Sequence, residues 1–346
     1  MQLKPIAQQV VAVVGASSGI GREAALQFAK RGAKVVVSAR SESKLAPLLD
    51  EIHGFGGEAT AVVADVAVFE QVKAIADRTV EIYGRLDTWV HCPAIAVYAP
   101  FAQTKPEEFQ RVIDVGLMGQ VYGAMAALPH LKREGRGALI HISSVLGRRS
   151  VPLQSSYCTA KHGMEGFIEA LRVELRHEHI PISVTSVKPA AVNTPLYNNA
   201  LTRLGVKPAS LPPFYEPTLV ADAILYVAEH PTRDFLVGDA ARAIDVLQRL
   251  SPSLVDFILE RVAFRLQRTS QPKSEDAPNN LYEPIAANAR VEGDFRNLAI
   301  PSLTDWIDKN PLLKWGAKAF GIATLTASIA ALALLVVQAF NNEGRI

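Results

Sequence analysis

Tyr157 and Lys161 stand four residues apart in the run SSYCTAKHG, and Ser144, thirteen residues before the tyrosine, closes the run GALIHISS. Residues four apart on a helix share one face about one turn from each other, so a helix here sets an ammonium beside a phenol. A phenol with an ordinary pKa of about 10 is a poor base at neutral pH, and a neighbouring positive charge favours its ionised form. Tyr157 would then exchange a proton with an oxygen on a small molecule. Lys161 would tune that exchange, and Ser144 would donate to the same oxygen as charge develops. Taken alone, a Tyr-x-x-x-Lys pair describes many exposed helices, so its weight depends on a second constellation near the N-terminus.

That constellation is VGASSGIGRE, in which Gly15, Ser17, Ser18, Gly19, Ile20 and Gly21 lead from a short apolar run into an amphipathic stretch. Glycines at 15, 19 and 21 permit positive φ and let the backbone approach a diphosphate. The free N–H groups and dipole of the following helix stabilise its charge. A tight turn without a ligand would use the same glycines, but a strand before and a helix after favour dinucleotide binding. About 20 residues farther on, the second predicted strand ends at Ala39-Arg40, where an acid would take the adenosine ribose hydroxyls of NAD(H). An arginine there can grip a 2′-phosphate through charge-assisted hydrogen bonds. This points to NADP(H) in preference to NAD(H); the alternative is a solvated arginine opening a loop.

The elements that must hold these residues are legible in the hydrophobic pattern. Up to residue 268, β-branched runs at 10–14, 34–38, 59–64, 86–91, 138–143, 183–187 and 234–237 alternate with longer amphipathic stretches. Such alternation predicts an α/β fold: a doubly wound, Rossmann-type, mainly parallel sheet of about seven strands with helices on both faces. Runs such as VVAVV suit strands covered on both sides. Three parts follow: a catalytic domain over 1–268, a polar, Pro- and Asn-rich linker or surface wrap over 269–312, and a C-terminal hydrophobic helix over 313–346. Within 254–268, Val255, Ile258, Leu259, Val262 and Leu266 share one helical face with arginines opposite, a pattern for packing on the domain or for lying on a membrane surface.

Residues 319–340 carry no charge, and about 20 such residues span a bilayer as a helix. Lys309, Lys314 and Lys318 precede that stretch and only Arg345 follows it, which would keep the catalytic domain cytoplasmic. The alternative is a terminal helix docked on the domain or on a partner subunit. The N-terminal run lacks the apolar core and cleavage site of a signal peptide. With 36 basic and 34 acidic side chains the net charge is +2, which gives no electrostatic reason to expect nucleic acid as a partner. The two cysteines, Cys92 and Cys158, lack any repeated spacing and fit a reducing compartment. Assembly with further copies of the chain stays open.

The spacing Gly-x-x-x-Gly-x-Gly at 15–21, joined in order to Ser144, Tyr157 and Lys161, resembles the short-chain dehydrogenase/reductase family. The resemblance runs over about residues 8–250 and includes ALPHL, ISSVLG, EALRVEL and VKPAAVNTP. It implies hydride transfer between a nicotinamide dinucleotide and a carbinol or carbonyl carbon, with Ser144, Tyr157 and Lys161 as the catalytic set. It also implies that Lys161 donates to the nicotinamide ribose and that Asp65-Val66 lie beside the adenine. Pro189 would shape the wall at the nicotinamide, Thr194 would bond its carboxamide, and 195–217 would be the substrate loop. A membrane anchor would suit a lipophilic alcohol or carbonyl substrate.

Three places depart from the family pattern. His91-Cys92-Pro93-Ala94 replaces the usual Asn-Asn-Ala-Gly, Gly116 stands where the family has an asparagine that positions a water beside the lysine, and Pro189-Ala190 replaces Pro-Gly. His91 and Cys92 could be read as metal ligands or a redox pair, but no further ligand is placed by the sequence, and packing roles are favoured. The same losses motivate an alternative, a membrane-tethered nucleotide-binding or scaffold protein with weakened catalysis.

Overall fold

The computed structural model describes residues 1–285 and 288–302. The expected C-terminal helix at 313–346, with its uncharged stretch, lies outside them, as do 303–312 of the expected linker. Seven strands form the central sheet: β1 (Val10–Val14), β2 (Lys34–Ala39), β3 (Glu58–Val63), β4 (Thr88–His91), β5 (Gly137–Ile142), β6 (Ile182–Pro189) and β7 (Asp234–Val237). Their order is β7-β6-β5-β4-β1-β2-β3, every pair parallel. This is the doubly wound arrangement expected from the alternating pattern.

The chain winds outward from β1 to β3 and then returns to place β4 beside β1. The crevice at the carboxyl ends of β1 and β4 is therefore the topological switch point, where sheets of this kind bind ligands. Helices cover both faces because β1, β4, β5 and β6 are buried along their whole length and their backbones cannot meet water. On one face lie α1 (Gly19–Lys30) and α8 (Pro217–Glu229), meeting through Ala25, Phe28, Val220 and Ile224. On the other lie α3 (Phe69–Tyr83), α5 (Gly119–Arg133) and α6 (Ser155–His177), whose Ile75, Ala127, Met164 and Ile168 fill a second core. The remaining helices are α2 (Glu42–Gly54), α4 (Pro106–Ile113), α7 (Leu196–Asn199), α9 (Asp239–Leu250) and α10 (Pro252–Leu266).

Strand β4 starts two residues later than the pattern suggests. Asp87 turns its carboxylate inward, where it accepts from the Val10 N–H at 2.8 Å and Arg85 Nε at 2.9 Å, and this holds the entry to the strand. Between α4 and α5 a π turn at Asp114–Met118 carries Gly116 against α6, where an added Cβ would lie 3.1 Å from Ala160 Cβ. The stretch 106–133 has the length and hydropathy of a membrane span, but half of its most apolar part is buried in the domain.

Of the two settings open to the helix predicted at 254–268, α10 takes the first: Val255, Leu259 and Ala263 pack with Val151 and Cys158. Its outer surface is not polar throughout, since Leu254, Phe257 and Phe264 are exposed, as is Leu250 at the end of α9. The chain does not leave the domain at 268. Arg268–Pro272 pairs antiparallel with Val206–Pro208, and residues 279–285 and 288–300 then cross the carboxyl end of the sheet. No sequence periodicity announces this crossing, because it is held by backbone and side-chain contacts to loops distant in the chain, Phe295 stacking on Phe214 among them.

Candidate active site

Gly15 leaves β1 with φ +82°, and Gly19 opens α1 with φ +57°, values that favour glycine over residues with a Cβ. Close approach adds a second reason. A Cβ on Gly15 would lie 2.8 Å from Pro93 N, and one on Gly21 would lie 2.3 Å from the Gly15 carbonyl oxygen. The glycine turn is thereby packed against the loop after β4, and the Cys92 N–H donates to Val14 O at 2.9 Å to fix that loop.

Helix α6 brings the second constellation to the same crevice. It is anchored under the sheet by Lys188, which pairs with Glu165 at 3.1 Å and Asp234 at 2.5 Å. One turn before Glu165, Lys161 is buried and its Nζ donates to Ile142 O at 2.8 Å. The same Nζ lies 5.5 Å from the centroid of the Tyr157 ring. Ser144, just after β5, accepts from the Leu146 N–H at 3.0 Å, and its hydroxyl favours the ionised form of the nearby Tyr157. The neighbouring Ser143 Oγ is buried with no partner.

Ser144, Tyr157 and Lys161 line one cavity of about 310 Å3 together with Gly15, Ser17, Ser18, Gly19, Ile20, Gly21, Arg40, Asp65, Val66, Pro189 and Thr194. Residues separated by up to 179 positions, Gly15 to Thr194, thus meet in one place.

The electrostatics differ from the sequence expectation at one point. Lys161 was expected to bring the phenol down, whereas burial, then Tyr197 and Cys158, drive Tyr157 well above its ordinary value; only the hydrogen bond with Ser144 acts the other way. Burial also lowers the Lys161 ammonium to about 8, against smaller opposing influences of Cys92 and Glu165. Desolvation outweighs the charge at this separation because it acts on both groups in the same low-dielectric pocket. The resting site therefore holds a protonated phenol beside a lysine that titrates just above neutrality.

Asp65 is committed more tightly than expected: Arg111 Nη2 donates to it at 2.6 Å and the Ala67 N–H at 3.0 Å. Burial pushes its carboxyl up, but Ala67, Arg111 and Arg40 outweigh this and hold it below the usual range. Arg40 is also engaged, donating from Nη1 to Tyr282 O at 2.6 Å and from Nη2 to Asn280 O at 2.7 Å. Arg111 Nε donates to Leu281 O at 3.0 Å, and the Gly19 N–H donates to Arg290 O at 3.0 Å. Residues 280–282 and Arg290 thus border the site.

At the departures from the family pattern, His91 is buried, accepts from Trp89 Nε1 at 3.2 Å, and is held neutral by burial and then by His141. Burial raises the Cys92 thiol to about 12, so it is not a thiolate near neutrality. These are packing roles. The far end of the cavity is apolar: Val255, Ile258, Leu259, Val262 and Leu266 of α10 line it with Leu247 and Ile244 of α9. The face foreseen for domain packing is also the wall of the site, and Asn280 and Arg111 were not foreseen, since no local signal ties them to it.

The short chain dehydrogenase family profile matches residues 9–204. An uncharacterized oxidoreductase, YxnA, of Bacillus subtilis is 38% identical over 285 residues, which is 82% of this chain and 80% of that protein. The putative oxidoreductase SadH of Mycobacterium tuberculosis is 32% identical over 71% of this chain and 91% of its own length. Dehydrogenase/reductase SDR family member 7B of Xenopus laevis is 30% identical over 80% of this chain and 87% of its own. Among solved structures, an alcohol dehydrogenase from the archaeon Thermococcus sibiricus, complexed with 5-hydroxy-NADP, shares the fold with a TM-score of 0.58 at 22% identity. That match covers 66% of this chain and 95% of the other.

Proposed function

The chain belongs to the short-chain dehydrogenase family and is an oxidoreductase of that type; we propose that it uses NADP(H) to interconvert an alcohol and a ketone or aldehyde on a lipophilic substrate. One observation carries this reading: Ser144, Tyr157 and Lys161 open onto the cavity that also holds the glycine turn and Arg40. The residues fit a dinucleotide, because the glycine turn at 15–21 lines the cavity and Asn280 Oδ1 and Ser143 Oγ are buried without partners. Such a cofactor supplies or accepts a hydride. The N–H groups of Ile20 and Gly21, at the start of α1, would hold its diphosphate, and Arg40 its adenosine end.

The protein's own part is to hold the substrate oxygen and move one proton. Tyr157 and Ser144 would both reach that oxygen. With the phenol protonated, Tyr157 gives its proton to the oxygen during carbonyl reduction and takes it back during alcohol oxidation. Lys161 stabilises the phenolate left behind. The site favours this reading over a scaffold with lost catalysis, since Tyr157 and Ser144 line the ligand cavity together.

A lipophilic substrate is supported by the apolar wall from α9 and α10. Membrane attachment through 319–340, with the catalytic domain on the cytoplasmic side, is supported by that uncharged composition and by exposed Leu254, Phe257 and Phe264. Replacing Tyr157 with Phe should lower ketone reduction by at least about a hundredfold while fluorescence titration shows NADPH affinity unchanged. Undiminished turnover would refute the assignment.

A further inference from the structure

We propose that Gln154 is a substrate-selecting acceptor: with its amide oriented by Gln267, it takes a hydrogen bond from a hydroxyl that the substrate carries on a carbon α or β to the reacting carbonyl. This rests on the reading above, in which Tyr157 serves the substrate oxygen. It narrows the lipophilic substrate to a hydroxyketone, or to a diol in the reverse direction.

Gln154 stands three residues before Tyr157, at the N-terminal end of α6, and both line the cavity. Side chains at that spacing are neighbours, with Cβ atoms about 5–6 Å apart. A group held by Gln154 therefore belongs to the atoms next to the reacting carbon rather than to a distant tail.

Helix packing alone does not account for this residue. Ser, Thr, Asp and Asn are the side chains that cap helix starts, and Gln154 makes no side-chain bond to the helix it opens. Yet it is only 3% exposed. The residue before it, Leu153, is buried with φ +67°, a left-handed backbone that leucine rarely adopts. Such strain persists only where the surroundings fix it, and it gathers at ligand sites. Here the Ala99 N–H donates to Leu153 O at 3.0 Å.

The hydrogen bonds decide which end of the amide is free. Gln267, which ends α10, is fully buried. Its Nε2 donates to Pro152 O at 3.0 Å and to Ala263 O at 3.2 Å. Backbone carbonyls only accept, so the Gln267 NH2 group faces them and its Oε1 faces Gln154. Gln154 meets that oxygen with its own NH2 group, at 2.6 Å. The Gln154 Oε1 is then the end left with no partner among the described residues. An amide oxygen accepts and cannot donate. It attracts a hydroxyl, repels the oxygen of an ether, and is stranded beside a bare methylene. The rest of the substrate has the apolar side of α10 to lie on, because Gln267 ties the end of that helix to the start of α6.

The test follows NADPH oxidation by the full chain on a long straight-chain methyl ketone, its α- and β-hydroxy forms and their methyl ethers. One hydroxyketone should exceed the plain ketone in kcat/KM by about tenfold or more, the cost of leaving a buried acceptor unpaired. Its methyl ether should fall below it by at least as much; hydroxyl and ether activate a carbonyl alike, so this pair controls for intrinsic reactivity. In Gln154→Met the hydroxyketone and its ether should draw within about threefold of each other. Gln267→Leu frees the Gln154 amide to turn, so the preference should shrink there too, through a higher KM for the hydroxyketone with kcat less affected. If the variants fail to fold, the wild-type contrast between hydroxyketone and ether decides the matter alone. Hydroxyketones no better than their ethers, or a preference that survives Gln154→Met, overturn the role of Gln154 and leave the carbonyl chemistry intact. A wild type that reduces none of these ketones overturns the lipophilic-ketone reading itself.

Discussion

Replacing Ile258 with Trp should shorten the substrate that the enzyme accepts while leaving its chemistry alone. Ile258 sits on the inner face of α10, between Val255 and Leu266, and all three line the cavity. At ~1.5 Å per residue that face offers an apolar wall about 16 Å long. Each methylene laid against it is worth ~0.8 kcal/mol, or about fourfold in kcat/KM. On a series of straight-chain methyl ketones, kcat/KM of the wild type should therefore climb by about fourfold per added carbon until the wall is covered. An indole in place of the isoleucine side chain would displace about three methylenes, a loss of ~2.4 kcal/mol or about sixtyfold for long ketones. Ketones too short to reach α10 should be unaffected. The assay is the fall in NADPH absorbance across the series for both proteins. A flat chain-length profile in the wild type, or a variant that loses the same factor at every length, would refute the reasoning.

Four further outcomes are expected. Since burial lowers Lys161 from 10.5 to about 8, kcat/KM for ketone reduction should be level at neutral pH and fall above pH about 8 as the ammonium is lost. The same shift acts on stability. Between about 8 and 10.5 the unfolded chain binds more protons at this lysine than the folded chain, so its contribution to stability rises with pH across that window; thermal unfolding of Lys161→Met should lack this rise. Gly21→Ala puts a Cβ 2.3 Å from the Gly15 carbonyl and forces the turn open, so it should cost ~2 kcal/mol or more in stability and weaken NADPH binding, and an unaltered NADPH titration would count against the glycine turn as its site. Finally, full-length protein should sediment with membranes while a chain ending at residue 308 stays soluble and still binds NADPH; a soluble full-length protein would remove the anchor.

Much of the fold was legible because parallel strands buried on both faces must be apolar along their length. VVAVV and KVVVSA can hardly be anything else. The glycine turn was legible for a related reason, since few residues but glycine tolerate both its φ values and its contacts. The Tyr157 to Lys161 pair was legible from helical spacing, but its electrostatic state was not. Burial decides that state, and it drove the phenol up where the bare sequence suggested the reverse.

What sequence alone determined are features encoded over a few neighbouring residues: the strand and helix periods, the turn after β1, the order of Ser144, Tyr157 and Lys161, and an arginine where an acid would select NAD(H). What only the tertiary structure decided is which distant segments complete the site. Asn280 reaches Arg40 across 240 positions, and the apolar stripe of α10 serves the domain and the cavity at once. Such contacts depend on backbone carbonyls and on desolvation. Every residue type has a carbonyl to offer, and desolvation arises only when the chain has closed, so neither leaves a local mark in the order of the amino acids.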